Sequence, residues 1–302
     1  MSRPVLLKCS LLLAIVATAT AGGTPPLRKK FLGANWKANL RTTDAVDNLV
    51  DDLNRMWRSL SKSETDAVEL CVNPPYVFLD RVRQRLHEDI GVGGQNVYDA
   101  SGPNREDNTG TTTASMLKDI GCAHVLLGHS DRRNRLGETD DLISDKVRAA
   151  LDAGLGVTLT IGELKYQRNW GLALWTLKKQ LSAAARSIPV DAWDKIVVAY
   201  EPVWSVGEGA VPCSPQEAQR VNAYLRSWIR ENAGDEAAGR VRLTYTGSVD
   251  EKNAASYAGL DDVDGFVVGR AGLNTDRLGS IVRTLASSAA SCDSGGQNSF
   301  YV

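Results

Sequence analysis

The sequence predicts an α/β protein, a (β/α)8 barrel in which helices surround a closed parallel sheet. Short, continuously apolar runs alternate along the chain with amphipathic stretches of helical periodicity. Apolar strands joined by helices indicate a parallel sheet that is buried on both faces. Eight such units within about 250 residues fit a closed barrel better than an open doubly wound sheet.

Each predicted strand is a mainly apolar run, and each predicted helix repeats apolar residues every three or four positions. The predicted strands are residues 31–36, 68–72, 90–94, 124–127, 156–161, 195–199, 242–245 and 265–268. The most regular helical patterns are at residues 44–60, 142–153, 172–185, 215–231 and 274–285. No change in composition divides the body of the chain, so residues 31–286 are predicted to form one domain.

Both ends of the chain are predicted to lie outside this domain. Residues 1–23 have the pattern of a cleavable signal peptide, with early basic residues, a short apolar stretch and small residues before Gly22. Residues 24–30 form a short basic linker that is compatible with delivery to an organelle such as a plastid. The expected location is the secretory pathway, for a secreted or organellar protein, or the cytoplasm if the leader is not functional. Residues 287–302, which are rich in serine, predict a disordered tail.

Charge and cysteine content exclude several classes of partner. The 302-residue chain has 35 basic and 36 acidic residues, so its formal charge of −1 creates no field that would attract nucleic acid. Beyond the leader no apolar stretch is long enough to cross a bilayer, which predicts no stable membrane insertion. The five cysteines form no CxxC pair and no metal-ligand spacing with histidine, so neither a metal site nor a disulfide scaffold is predicted.

Polar residues or glycines lie at the end of nearly every predicted strand. In a (β/α)8 barrel these positions surround the C-terminal mouth, where active sites lie. Coincidence at so many strand ends is a poor explanation, and the pattern predicts a functional site. The residues are Asn35, Lys37, Asn73, Gln95, Asn96, His129, Ser130, Glu163, Glu201, Ser248, Gly269 and Arg270.

Glu201 is the strongest candidate for a catalytic base. It follows the apolar run 196–199 and precedes a loop that contains Gly207 and Gly209. A carboxylate at the rim of an apolar strand is partly desolvated and takes up a proton more readily, and a mobile loop beside it can exclude water. Each residue alone has an ordinary explanation, such as a core histidine for His129 or a snorkelling strand-end lysine for Lys37. Together they supply a base, a neutral donor and a cation, which proton abstraction beside a carbonyl requires.

Several motifs then carry a family resemblance. They are NWKAN at 35–39, QNV at 95–97, GHSDRR at 128–133, IGE at 161–163, AYEPVW at 199–204 and DVDGFVVG at 262–269. From about residue 30 to about residue 285 the chain resembles the triosephosphate isomerases, whose fold is the TIM barrel. The resemblance implies interconversion of dihydroxyacetone phosphate and D-glyceraldehyde 3-phosphate through an enediolate, a step of glycolysis and gluconeogenesis. It implies no cofactor and no metal.

The resemblance also implies roles for individual residues. Glu201 would move a proton between two substrate carbons, and neutral His129 would polarise the carbonyl and shuttle protons between the oxygens. Lys37 would offset the charge of the phosphate and the enediolate, and Asn35 would orient the substrate oxygens. Residues 202–213 would form a lid.

Backbone N–H groups of small residues would hold the substrate phosphate. Gly207, Ser248 and Gly269 are the expected donors, and Arg270 would add a charged contact where the family has a second glycine. Ser130, Asp131, Glu163 and Thr109 would support the site from outside it. Thr109 lies in the loop that runs from Tyr98 to Thr113, which in the family enters the pocket of a partner, so a homodimer is expected.

Departures from the family pattern keep alternatives open. Asp131 stands where the family has glutamate, Thr246 replaces a glycine of a phosphate turn, and Glu208 and Ala210 replace threonine and lysine in the lid. One alternative is an exported barrel with weakened or lost turnover that acts as a binding or surface protein. Another is a sugar-phosphate isomerase of different specificity, which the intact lid motif disfavours.

Overall fold

The computed structural model describes residues 28–98, 108–207 and 209–295. Within this part of the chain, eight parallel strands form a closed barrel in sequence order, with the first strand paired to both the second and the eighth. The predicted (β/α)8 fold is confirmed. The strands are β1 (Lys30–Asn35), β2 (Val68–Asn73), β3 (Gly91–Gly94), β4 (His124–Leu127), β5 (Gly156–Ile161), β6 (Ile196–Tyr200), β7 (Arg242–Tyr245) and β8 (Gly265–Val268).

Helices connect the strands and cover the outside of the barrel. They are α1 (Thr43–Arg58), α2 (Lys62–Ala67), α3 (Leu79–Arg85), α4 (Ala114–Asp119), α5 (Ser130–Leu136), α6 (Asp140–Asp152), α7 (Lys165–Asn169), α8 (Ala173–Ala185), α9 (Pro215–Ala233), α10 (Asp235–Arg240), α11 (Ala254–Ala258) and α12 (Thr275–Gly295). Short 3₁₀ helices lie at Tyr76–Phe78, Val190–Lys195, Val203–Ser205 and Arg270–Leu273. Thr42, Thr139 and Ser214 cap α1, α6 and α9, because each side-chain oxygen accepts a backbone N–H of the first turn.

Alternation along the strands divides the apolar core into two parts. Successive residues of a strand point to opposite faces, so Val197 and Ala199 of β6 face the barrel interior. Val198 and Tyr200 pack instead in the larger core that includes the helices. The interior cluster is completed by Phe31, Cys71 and Val267.

The two ends of the domain differ from their predicted boundaries. β1 begins at Lys30, and Arg28 pairs with Asp264 at 2.8 Å, so the end of the predicted linker belongs to the barrel. α12 continues to Gly295, into the segment predicted to be disordered, because its buried face extends through Ala286 and Ala289 and alanine favours helix. The predicted leader 1–23, linker residues 24–27 and residues 296–302 lie outside the described residues. No helix in the described part of the chain is long and apolar enough to span a bilayer.

Three ionisable side chains close the amino-terminal end of the barrel interior. Glu69 Oε1 lies 2.8 Å from His124 Nε2, and Arg242 donates to the other carboxylate oxygen of Glu69. Burial alone would raise the pKa of Glu69, but the hydrogen bond with His124 and the charge of Arg242 outweigh it and lower the pKa to about 2. These groups lie at the opposite end of the barrel from the predicted mouth, so their role is to stabilise the fold.

We expect Glu69→Gln to remove part of the acid sensitivity of folding. The pKa of Glu69 is about 2 in the folded chain against an ordinary 4.5. Ionised Glu69 therefore stabilises the fold above about pH 4.5, by at most about 3 kcal/mol, and this contribution is lost as the pH falls towards 2. Urea unfolding between about pH 6 and about pH 3 should show a larger loss of unfolding free energy for the wild type than for the variant. Equal losses would contradict the assignment.

Candidate active site

Strand alternation brings the predicted residues together at the C-terminal mouth. Val197 and Ala199 are alternate residues of β6, and Glu201, directly after the strand, continues the alternation, so Glu201 is on the interior face. By the same alternation Asn35 is on the interior face of β1, as Phe31 is. Glu201 and Asn35 line one cavity of about 660 Å³, within the range of small-molecule sites. Its lining also includes Lys37, His129, Gly207, Thr246, Gly247, Ser248, Gly269, Arg270 and Arg277.

Glu201 is almost fully buried at the inner wall of this cavity, with 1% of its surface exposed. One carboxylate oxygen, Oε2, accepts the backbone N–H of Ser130 at 2.9 Å. The other, Oε1, lies 3.3 Å from Nε2 of His129. The contact from Ser130 is therefore made by its backbone, which any residue at this position could supply, rather than by its hydroxyl group.

The hydrogen bonds of His129 fix the position of its ring proton. His129 caps the amino terminus of α5, and its Nδ1 accepts the backbone N–H of Asp131 at 3.0 Å. A backbone N–H can only donate, so Nδ1 carries no proton and the proton of a neutral ring lies on Nε2. The ring thus directs an N–H towards Glu201 and the cavity, as a neutral donor must.

Lys37 is held in a backbone conformation that is rare for a side chain of its type. Its φ angle is 50°, in the left-handed region, where residues other than glycine are strained. Its backbone N–H donates to Asn35 Oδ1 at 3.0 Å, and its carbonyl accepts Nε2 of Gln95 at 2.8 Å. These bonds on both sides of the residue hold the strained conformation. Gln95, predicted only to lie at the mouth, thus positions Lys37.

Asp131 contacts Lys37 although its side chain is one methylene shorter than the glutamate of the family pattern. Lys37 Nζ lies 3.0 Å from Asp131 Oδ2. Partial burial would raise the pKa of Asp131, but the hydrogen bond from Lys37 and the positive charges nearby lower the pKa below its ordinary value. Asp131 therefore stays ionised and anchors the lysine over the cavity.

The first turn of the lid is attached to Glu163. The side chain of Trp204 donates from Nε1 to Glu163 Oε1 at 2.6 Å, and Tyr200 donates its hydroxyl to the same oxygen at 3.2 Å. The guanidinium of Arg168 lies 3.9 Å from the centre of the Trp204 ring. Burial raises the pKa of Glu163, because these contacts do not fully offset the loss of water. Glu163 thus contacts the lid and not the cavity.

The far end of the lid is attached at Cys213. The backbone N–H of Cys213 donates to the Tyr245 hydroxyl at 3.2 Å, and the Tyr257 hydroxyl donates to its carbonyl. Between the two attachments, Gly207 and Gly209 adopt φ angles of 121° and 72°, which glycine tolerates best. The lid is therefore fixed at its ends and glycine-rich in between. Glu208, a predicted departure in the lid, lies outside the described residues.

One end of the cavity has unpaired backbone donors. The backbone N–H groups of Gly207, Ser248 and Gly269 donate to no acceptor within the described part of the chain. Position 247 in this turn requires glycine, because a Cβ on Gly247 would lie 2.3 Å from the Tyr245 hydroxyl oxygen. Arg270 is exposed beside these groups and has no ion pair among the described residues. Unpaired N–H groups beside a cation form a suitable site for an anion.

Gly162, the glycine of the IGE motif, approaches Glu201 closely. A Cβ on this residue would lie 1.7 Å from the carbonyl oxygen of Glu201. The backbone N–H of Glu201 donates to the Ile161 carbonyl at 2.8 Å, so the two chain segments approach as closely as backbones can. Glycine at 162 is therefore needed to place the carboxylate of Glu201.

Thr109, a predicted supporting residue, does not line the cavity in the described chain. It is exposed, and it makes no hydrogen bond to Asn35 within the described residues. Residues 99–107 of the same loop lie outside them. In the part of the chain that the structure describes, no cluster of three His, Cys, Asp or Glu residues could hold a metal ion, and Cys71, Cys122 and Cys213 are free thiols.

The fold and the mouth together define a class of protein, a (β/α)8 barrel whose cavity combines a buried carboxylate, an imidazole and an ammonium group with unpaired backbone donors. Residues 30–285 match the family model described as triosephosphate isomerase. The chain belongs to the triosephosphate isomerase family. Its enzymatic class is that of the family, an intramolecular oxidoreductase that interconverts an aldose and a ketose.

Relatives include organellar and cytosolic proteins. The chain is 41% identical over 273 residues to the chloroplastic triosephosphate isomerase of Arabidopsis thaliana, which covers 90% of this chain and 81% of that protein. It is 40% identical over 258 residues to the cytosolic enzyme of Stellaria longipes, with 85% and 96% covered. It is 39% identical over 250 residues to the triosephosphate isomerase of Neurospora crassa, with 82% and 96% covered.

Proposed function

We propose that the chain interconverts dihydroxyacetone phosphate and D-glyceraldehyde 3-phosphate, with Glu201 as the base. The observation that carries the proposal is the position of Glu201 Oε1, 3.3 Å from His129 Nε2 in a cavity that Lys37 also lines. The carboxylate removes a proton from one substrate carbon and returns it to the neighbouring carbon. The electrons of the broken C–H bond move towards the carbonyl oxygen, which becomes the oxygen of an enediolate.

His129, Lys37 and Asn35 stabilise that intermediate. The Nε2–H of His129 donates to the oxygen on which charge develops, and a neutral imidazole can also pass protons between the two oxygens. The ammonium of Lys37 offsets the negative charge of the intermediate. Asn35 keeps the backbone of Lys37 in place through its Oδ1, and its amide group is available to orient the substrate.

Closure of the lid couples phosphate binding to the chemistry. The phosphate occupies the end of the cavity where Gly207, Ser248 and Gly269 present unpaired N–H groups. Gly207 belongs to the lid, so a bound phosphate holds the lid closed and excludes water. Because Pro202 follows Glu201 directly, movement of the lid also moves the base.

Isomerisation of D-glyceraldehyde 3-phosphate by the purified full chain tests the proposal. We expect turnover without added metal or cofactor, and we expect it to depend on Glu201. A folded chain that binds an anionic analogue such as 2-phosphoglycolate but shows no turnover would support a binding barrel instead. A chain that acts on other sugar phosphates and not on this one would assign a different substrate.

We expect Arg270→Gln to raise KM for the substrate about threefold to fivefold while kcat stays nearly unchanged, because an exposed charge contact contributes about 1 kcal/mol or less. The effect should shrink as ionic strength rises. Steady-state kinetics at low and moderate salt check the prediction. Arg148→Gln, which removes an exposed arginine from α6, is the matched control. An Arg270→Gln enzyme whose KM equals that of the control would show that the guanidinium does not contact the phosphate.

We further propose a homodimer in which the loop from Tyr98 to Thr113 enters the partner's pocket, with Thr109 next to Asn35 of the other copy. Support comes from the exposure of Thr109 at the described edge of the loop and from a β-bridge between Tyr98 and Thr113 at its base. Analytical ultracentrifugation of the full chain checks the oligomeric state.

The relatives include a chloroplastic and a cytosolic enzyme, which support a plastid or a cytoplasmic location. We propose that residues 1–23 direct this chain into the secretory pathway, from which the protein is secreted or delivered to an organelle. Imaging a fusion of residues 1–30 to a fluorescent reporter tests this, and a reporter that stays diffuse in the cytosol would refute it.

A further inference from the structure

An exposed aromatic surface lies outside the active site. Tyr166, Trp170 and Trp175 are 56%, 77% and 60% exposed, and Leu172 between them is also exposed. The rings of Tyr166 and Trp170 meet edge to face with centroids 6.5 Å apart. We call Tyr166, Trp170, Leu172 and Trp175 the aromatic corner. Side chains of this size remain exposed together rarely in a soluble protein, so the corner marks an interaction surface.

The corner projects from the protein because of the turn between α7 and α8. Gly171 adopts φ 72°, and its N–H donates to the Arg168 carbonyl while that of Leu172 donates to the Gln167 carbonyl. This pair of bonds ends α7 and turns the chain sharply into α8. Trp170, at the tip of the turn, is the most exposed of the aromatic residues. Large apolar rings exposed at such a turn can insert into the headgroup region of a bilayer.

The surroundings of the corner are positively charged. Residues 164–190 contain no aspartate or glutamate, although the whole chain has a formal charge of −1. Acidic residues from other segments pair with some of the cations in this stretch, at Arg168 with Glu217, Lys179 with Asp140 and Arg186 with Asp141. Lys165 and Lys178 are exposed and have no ion pair within the described residues. The partner that complements this surface is therefore anionic.

We propose that the aromatic corner docks the folded barrel on an anionic lipid surface. Tryptophan and tyrosine favour the headgroup region of a bilayer, where an apolar ring and a polar N–H or O–H are both accommodated. Lysines beside them are attracted to anionic headgroups. The docking is peripheral and involves no membrane-spanning helix. It uses no residue of the catalytic cavity, so it is independent of the proposed reaction.

Hydrogen exchange of the full chain with lipid vesicles tests the proposal at the level of the segment. Vesicles of phosphatidylcholine with phosphatidylglycerol should slow amide exchange in residues 164–181, and vesicles of phosphatidylcholine alone should not. This readout separates the corner from the apolar leader, which can contact lipid by itself. Absence of protection in 164–181, or equal protection by both vesicles, would overturn the proposal. Protection by polyglutamate or by a single-stranded oligonucleotide but not by vesicles would also overturn it.

Paired variants identify the residues responsible. The double variant Trp170→Ser with Trp175→Ser should need about ten times more anionic lipid to protect the segment. The double variant Lys165→Gln with Lys178→Gln should show the same increase. Val77→Ser, at another apolar residue that is 82% exposed, is the control and should leave protection unchanged. Isomerase turnover measured without vesicles should be equal in all these proteins, because none of the residues lies in the cavity. Protection that survives both double substitutions would show that other residues hold the lipid.

Discussion

Replacement of Glu201 by glutamine is expected to lower kcat about 10⁴-fold with little change in KM, the upper end of what a single acid–base group contributes. Glutamine keeps the shape of the side chain, and its carbonyl oxygen can still accept the Ser130 N–H that now holds Oε2 at 2.9 Å. What it cannot do is accept a proton from carbon. The kcat of Glu201→Asp should lie between those of Glu201→Gln and the wild type, with a loss of about 10²-fold. The reason is that the shorter side chain withdraws the carboxylate from the substrate by about 1 Å.

The measurement should follow the proton as well as the product. In deuterated water, exchange of the carbon-bound substrate hydrogen with solvent reports abstraction even when product release is slow, and it should fall in parallel with kcat. Glu231→Gln, an exposed glutamate on α9, controls for preparation and for net charge. If Glu201→Gln kept a tenth or more of the wild-type exchange, another group would have to be the base.

The position of Glu201 illustrates how far the sequence predicts the site. The apolar run 196–199 predicts a strand, and its period of two places Val197, Ala199 and then Glu201 on the same interior face. The same argument places Asn35 after Phe31. Which residues share the mouth was therefore predictable, because it depends only on strand ends and on closure of the barrel.

Contacts between distant segments were not predictable in the same way. The hydrogen bond from the Asp131 N–H to Nδ1 of His129 fixes the position of the ring proton. This hydrogen bond depends on how α5 begins after β4. The approach of Gly162 to the Glu201 carbonyl depends on the packing of two loops, and no periodicity in the chain encodes it. Likewise His124 appears in the sequence as an isolated histidine, and only closure of the barrel brings Glu69 and Arg242 to it.

The continuation of α12 has a different cause. The sequence from residue 287 onwards is rich in serine and poor in large apolar side chains, and such a composition predicts disorder. Composition averages over the segment and misses the single face on which Ala286 and Ala289 are buried. A helix that already exists needs only such small contacts to extend, since adding a residue costs less than starting a turn.

Replacement of Lys37 by methionine is expected to have the other large effect, a loss of about 10³-fold in kcat/KM. A unit charge about 4 Å from a substrate charge near a protein surface contributes about 4 kcal/mol, which corresponds to this factor. Without the ammonium, Asp131 and Glu201 remain as carboxylates beside a dianionic substrate, so KM should rise. Charge on the enediolate also loses its counter-charge, so kcat should fall as well.

Stability measurements separate this electrostatic effect from damage to the fold. Methionine retains the length of the side chain and the backbone strain at φ 50°, so the unfolding free energy should change by no more than about 1 kcal/mol. Lys195→Met makes the same charge change in an exposed residue directly before β6, at the amino-terminal end of the barrel. That variant should keep wild-type kcat/KM, because only the lysine at the mouth is close enough to the reacting carbons. A Lys37→Met enzyme within tenfold of the wild type, or a Lys195→Met enzyme equally impaired, would remove Lys37 from the mechanism.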